Sequence, residues 1–120
     1  MRNEPFDALD PTDGFVASRM TFYAALYPKL RQVARKHGYA LTLHGSLTKD
    51  LDVVAVPWVE GATDPLVLVR ALTEIAHGLV QNGAGITCPH GRHAWTIFLG
   101  STGGYIDLSV MPRIFDVKES

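Results

Sequence analysis

The stretch Asp50–Trp58, DLDVVAVPW, is apolar at nearly every position from Leu51 onward, yet it opens with two aspartates flanking one leucine. A strand that is apolar on both faces belongs inside a sheet, with a neighbour on each side. Pro57 falls at its end, where a missing backbone donor is tolerated. The rest of the chain therefore has to supply partner strands and a cover for at least one face.

Three other runs read as strands. Tyr39–His44 (YALTLH) is short and rich in strand formers, and Gly45-Ser46 ends it. His93–Leu99 and Tyr105–Val110 flank the glycine-rich turn Gly100–Gly104 and should form an antiparallel hairpin. Two stretches have helical spacing instead. Phe15, Met20, Tyr23, Tyr27, Leu30, Val33 and Ala34 recur with that period, Arg31, Arg35 and Lys36 suit a helix C-terminus, and Gly38 is a stop. The spacing predicts a helix over 14–37, with Thr12 or Asp13 as its cap. Asp64-Pro65 then starts a second helix whose stripe is Leu66, Val69, Leu72, Ile75, Ala76, Leu79 and Val80, ending at Asn82-Gly83. The order implies an α+β (mixed α/β) fold: about four strands in a mixed sheet, with two helices covering one face. Residues 14–112 read as a single domain between an N-terminal arm, 1–13, with Phe6 as its docking residue, and a C-terminal tail, 113–120, loose beyond Phe115.

At 120 residues, with 47% hydrophobic and 19% charged, the chain has the composition of one globular domain. Its formal net charge of −1 gives no strong nucleic-acid or anionic-membrane signature. A lone cysteine, Cys88, excludes an intrachain disulfide framework. No apolar run reaches the ~18 residues of a membrane span, and the polar N-terminus lacks the apolar core of a secretory signal. The expected location is cytoplasmic.

The acidic residues carry the functional argument. Strand period two puts Asp50 and Asp52 on the same face. Asp107 sits in another apolar strand, between Ile106 and Leu108. Charges in apolar strands are costly unless paired or bound to a cation. If the two strands are neighbours, three carboxylates converge as hard oxygen ligands for Mg²⁺ or Mn²⁺, a site able to clamp a triphosphate. The alternative is structural: Asp50 caps a turn, and Asp107 pairs with Arg92, Arg113 or Lys49. Gly45-Ser46 is either an ordinary turn or a close backbone and hydroxyl approach to phosphate. Lys49 either neutralises the acidic pair or meets a phosphate.

Taken together, LHGSLTKDLDVVAV and the later YIDLSV resemble the polymerase-beta-type nucleotidyltransferase superfamily. Gly45 and Ser46 match its Gly-Ser element, Asp50 and Asp52 its D-x-D, and Asp107 its third carboxylate. The resemblance implies a mixed sheet with helices and metal-dependent transfer of a nucleotidyl group from a nucleoside triphosphate. It implies that Asp50, Asp52 and Asp107 hold the metal, with Asp107 also the base for an acceptor hydroxyl, and that Gly45 and Ser46 meet the triphosphate. Only Leu47-Thr48-Lys49 separates Ser46 from Asp50, where typical members carry a longer insert with a short helix. The chain also resembles small phage- and prophage-encoded proteins sharing HGS-x-x-x-DLD-x-x-AVPW, HGR-x-AW and IDLSVMP. That likeness implies no established activity and is compatible with a virus–host accessory role.

Cys88, His90 and His93, with His44 as a fourth, form a second constellation that can ligate Zn²⁺, though in no standard finger spacing. Otherwise His90 and Arg92, just before a strand expected beside Asp107, reach an anionic ligand. Trp58 and Trp95 read as core or edge packing, with base stacking as the second reading of Trp58. Ser109 shares a strand face with Asp107 and lines its pocket. Two functions follow. One is a minimal nucleotidyltransferase-like protein whose site is Asp50, Asp52 and Asp107, supported by Gly45, Ser46, Lys49, His44, His90 and Arg92. The other is a non-enzymatic accessory or interaction protein on the same fold. A chain this short leaves no space for a separate acceptor domain, which favours the second reading or an oligomeric site, with a protein partner or a homo-oligomer as the partners to expect.

Overall fold

The computed structural model describes residues 11–83, 85–100 and 104–116. Phe6, most of the arm, residues 101–103 of the turn and residues 117–120 of the tail lie outside the described residues. Helix α1 spans Pro11–Lys36, and strand β1, Tyr39–His44, follows it. Strand β2 is Leu51–Pro57, helix α2 Pro65–Ala76, β3 Leu79–Val80, β4 Ile86–Thr87, β5 His93–Phe98 and β6 Tyr105–Val110. The sheet is mixed and has six strands rather than about four, in the order β1-β2-β6-β5-β3, with β4 also paired to β5. β2 is interior, as its apolar sequence requires: β1 lies antiparallel on one side and β6 parallel on the other. β5 and β6 form the expected antiparallel hairpin.

Alternation divides the sheet into two faces. Leu51, Val53 and Ala55 of β2, Ile106, Leu108 and Val110 of β6, and Trp95 and Ile97 of β5 are buried. They join Tyr23, Leu26, Leu30 and Ala34 of α1 and Leu68, Val69 and Leu72 of α2 in one cluster. Burying each such aliphatic side chain stabilises the fold by roughly 1.5–3 kcal/mol. The opposite parity, Asp52 and Val54, Asp107 and Ser109, Ala94 and Thr96, is only half-buried. Both helices therefore pack on one face, and the aspartates stand on the other. Among the described residues no helix is long and apolar enough to cross a membrane.

Two boundaries differ from the sequence expectation. α1 begins at Pro11, so Thr12 and Asp13 lie inside it rather than capping it. Proline at a first helical position is itself a start signal. α2 starts at the expected cap, where the Asp64 carboxylate accepts from the Leu66 N–H at 2.9 Å, but it ends at Ala76. His77 adopts a left-handed conformation, φ 54°, and the Gly78 N–H closes the turn on the Thr73 carbonyl. A Cβ on Gly78 would lie 2.6 Å from Ile97 Cγ2, so only glycine fits against β5 there. The chain then leaves the helix, and Leu79–Val80 pairs with Ile97–Phe98 instead of extending the stripe.

The first residues of the expected tail are tied down, while residues 117–120 lie outside the described residues. Ile114–Asp116 forms a 3₁₀ turn. Arg113 grips Asp116 through Nε–Oδ2 at 2.7 Å and Nη2–Oδ1 at 3.1 Å, and lies 3.8 Å from Asp64 at the start of α2. Hydrogen bonding to Arg113 holds the Asp116 carboxyl below the usual 3.8. A carboxylate lowered in this way stabilises the fold above its unfolded value and loses that effect as pH falls through its folded value. Asp116→Asn should lower stability by about 1 kcal/mol at pH 7. In urea melts at decreasing pH, the difference from wild type should close below 3.8.

Candidate metal centre

The parallel register of β2 and β6 sets Asp52 directly opposite Asp107. Asp50, one residue before β2, joins them, and one ligand oxygen from each of the three carboxylates lies within 4.8 Å of the other two. All three are half-buried. Among the described residues none of them forms an ion pair, so the structural alternative of pairing with Lys49, Arg92 or Arg113 is not what the fold does. Burial, then a hydrogen bond with Asp107 and its negative charge, pushes the Asp50 carboxyl up. Lys49 and Arg19 offset part of that shift. Like charges gathered without a counter-ion favour a shared proton or a cation. Three half-buried carboxylate oxygens are hard donors that could hold a metal ion.

Several surrounding groups aim the carboxylates. The Thr96 hydroxyl, opposite Asp107 on β5, donates to its Oδ1 at 3.4 Å. Gly45, at φ 74°, crosses so close to Asp52 that a Cβ would lie 2.8 Å from Oδ2. His44 faces Asp52 across the β1–β2 ladder. From α1, the buried Tyr23 hydroxyl donates to the Lys49 carbonyl at 2.7 Å and accepts the Tyr105 N–H at 3.3 Å. One phenol thus ties the residue before Asp50 to the strand that carries Asp107. Arg19, one turn earlier, donates to the Thr48 carbonyl at 2.9 Å. Burial raises the Tyr23 phenol further, so it stays protonated as that donor. Tyr23 reads from sequence as a core residue of the α1 stripe. Its hydroxyl's partners lie 26 and 82 residues away, and no local signal reveals them.

The remaining candidates divide. Arg92 donates to the Ser109 hydroxyl at 3.0 Å, on the same sheet face as Asp107 and two residues along. Lys49 is exposed beside Asp50, and Ser46 shares a 2.8 Å hydrogen bond with Thr48. His90 is not part of this cluster. It lines a separate groove of about 950 Å³ with Asp64, Leu66, His93, Met111 and Arg113. Nor does the zinc constellation assemble: among the described residues the three aspartates are the sole group placed to hold a metal. Cys88 Sγ lies against the Ile86 carbonyl, and the His93 ring stacks on Trp95 with centroids 4.9 Å apart. Trp95 is core as expected, but Trp58 is 58% exposed rather than packed.

Comparisons of the chain with protein-family models, with curated proteins and with solved structures return no match.

Two substitutions probe this geometry. Asp50→Asn keeps the hydrogen bond to Asp107 and removes one of three negative charges. In metal-free buffer it should raise the melting temperature, whereas loss of a structural partner would destabilise by about 1–3 kcal/mol. Tyr23→Phe deletes only the hydroxyl. It should cost about 1–3 kcal/mol in chemical denaturation, because the Lys49 carbonyl is left without its buried donor.

Proposed function

We propose that this protein is a minimal nucleotidyltransferase-like protein that binds a nucleoside triphosphate with Mg²⁺ or Mn²⁺ on the open face of its sheet. The observation that carries this reading is the convergence of Asp50, Asp52 and Asp107, none of them ion-paired among the described residues. The sequence resemblance to polymerase-beta-type nucleotidyltransferases names the same three residues. Asp50, Asp52 and Asp107 are the cation ligands. When bound, the cation neutralises phosphate charge and lowers the pKa of an acceptor hydroxyl. Asp107, oriented by Thr96, accepts that hydroxyl's proton. The missing Cβ at Gly45 leaves room for the Asp52 carboxylate, and Lys49 and Arg92 supply positive charge near the carboxylates to meet phosphate. Such chemistry rests on positioning and charge neutralisation.

A second reading is a non-enzymatic accessory or interaction protein on the same fold. One observation favours it. The connection from Gly45 to Asp50 contains no helix, and Leu47 within it sits at φ 64°. The triphosphate therefore has no helix N-terminus to meet there, and the Ser46 hydroxyl is occupied by Thr48.

Melting curves separate the readings. Mn²⁺ with a nucleoside triphosphate at a hundred times its Kd should stabilise the protein by about 2.7 kcal/mol. Asp107→Asn should abolish that shift. Transfer of an α-labelled nucleotide to an acceptor would then identify an enzyme, and binding without transfer the accessory protein. No shift at millimolar ligand would remove the nucleotide reading.

A further inference from the structure

A second recess opens at the other end of β1, away from the carboxylates. It holds about 410 Å³ and is lined by Tyr27, Arg31, Arg35, Tyr39, Leu41 and Trp58. Tyr27, Arg31 and Arg35 stand at successive i, i+4 positions on α1, so they form one stripe along three turns. Like charges four residues apart disfavour a helix slightly unless something neutralises them. Among the described residues, Arg31 and Arg35 make no ion pair. No acidic residue lines the recess.

The aromatic walls, by contrast, are fixed. The Tyr27 hydroxyl donates to the Leu41 carbonyl at 2.6 Å, and the Tyr39 hydroxyl to the Thr63 carbonyl at 2.7 Å. The Trp58 backbone N–H donates to the Gly38 carbonyl at 3.0 Å, while the residue is 58% exposed. An exposed tryptophan beside two guanidinium groups with no ion-pair partner among the described residues leaves apolar ring area in water and two like charges unneutralised.

We propose that this recess binds a segment of single-stranded nucleic acid, with a base stacked on Trp58 and adjacent phosphates on Arg31 and Arg35. The two arginines are separated by about 6 Å along the helix axis, a fit to successive phosphates of an extended strand. Planar bases and regularly spaced anions are what this pairing of groups recognises. An acidic peptide would satisfy the arginines and leave the indole wet. A lipid surface would need the indole on a convex apolar face rather than lining a recess. The site does not depend on the reading of the carboxylates: Trp58 and the two arginines gather at the Tyr39 end of β1, five residues and roughly 17 Å of strand from His44, which faces Asp52.

Fluorescence anisotropy of dye-labelled dT12 and rU12 with the full chain tests the proposal. Binding should weaken with salt at a log–log slope near −1.4, about 0.7 for each of two phosphates. Trp58→Ala, and separately Arg31→Ala with Arg35→Ala, should each weaken it about tenfold or more. Trp58→Phe, which keeps a stacking ring, should retain most of the affinity. These side chains are exposed or edge-lying, and unchanged melting of each variant confirms that the fold is intact. The proposal fails if wild type binds neither oligonucleotide, or if binding persists in all variants. It also fails if polyglutamate or phosphatidylserine vesicles bind more tightly with the same dependence on Trp58 and the arginines.

Discussion

The parallel pairing of β2 with β6 is the constraint from which the candidate site follows. Burying Leu51, Val53 and Ala55 beside Ile106, Leu108 and Val110 fixes both the parity and the register of the two strands. A slip of one residue would carry Asp52 or Asp107 into the core, where an unpaired carboxylate is heavily penalised. The same apolar pattern that drives the sheet together therefore obliges Asp52 and Asp107 to face one another outside it. Core packing and carboxylate geometry are two consequences of one register.

That arrangement has a cost, and the structure shows what offsets it. Each of the three carboxylates places an oxygen within 4.8 Å of the other two, and burial, then the hydrogen bond and charge of Asp107, push the Asp50 carboxyl up. Arg19 and Lys49 make the local potential less negative and so lower the Asp50 carboxyl in part, though among the described residues neither forms an ion pair with it. Tyr23 ties the Lys49 carbonyl to the Tyr105 amide, so the two strand entrances cannot drift apart to relieve the repulsion. Gly104 permits this, because a Cβ there would run into the Tyr23 hydroxyl. Helix α1 thus helps to hold the three carboxylates together.

How much of this is legible in the sequence depends on the range of each interaction. The long α1, the interior β2 strand and the β5–β6 hairpin follow from periodicity and turn residues, which are local. The three aspartates follow from strand parity plus one long-range assumption, that β2 and β6 are neighbours. What is not legible is set elsewhere. β3 and β4 are two residues each, too short to show alternation, and exist only because β5 offers them an edge. Leu79 continues the helical stripe of α2 in sequence, yet Gly78 must pass close to Ile97, which stops the helix and leaves Leu79 64% exposed. His90 is near Asp107 along the expected hairpin, but at φ 67° it belongs to a turn that projects into another groove.

Net charge conceals a further feature that only the fold displays. A total of −1 describes the sum of the charges and not their placement. β1 runs from Tyr39, beside Arg31 and Arg35, to His44, opposite Asp52. One end of a single strand thus stands in positive surroundings and the other in negative ones, separated by more than a Debye length at physiological salt. Each end presents its own field to an approaching ion. The acidic end attracts cations and repels a bare polyanion. The basic end does the reverse, so a chain nearly neutral in composition can still discriminate among charged ligands by where on its surface they approach.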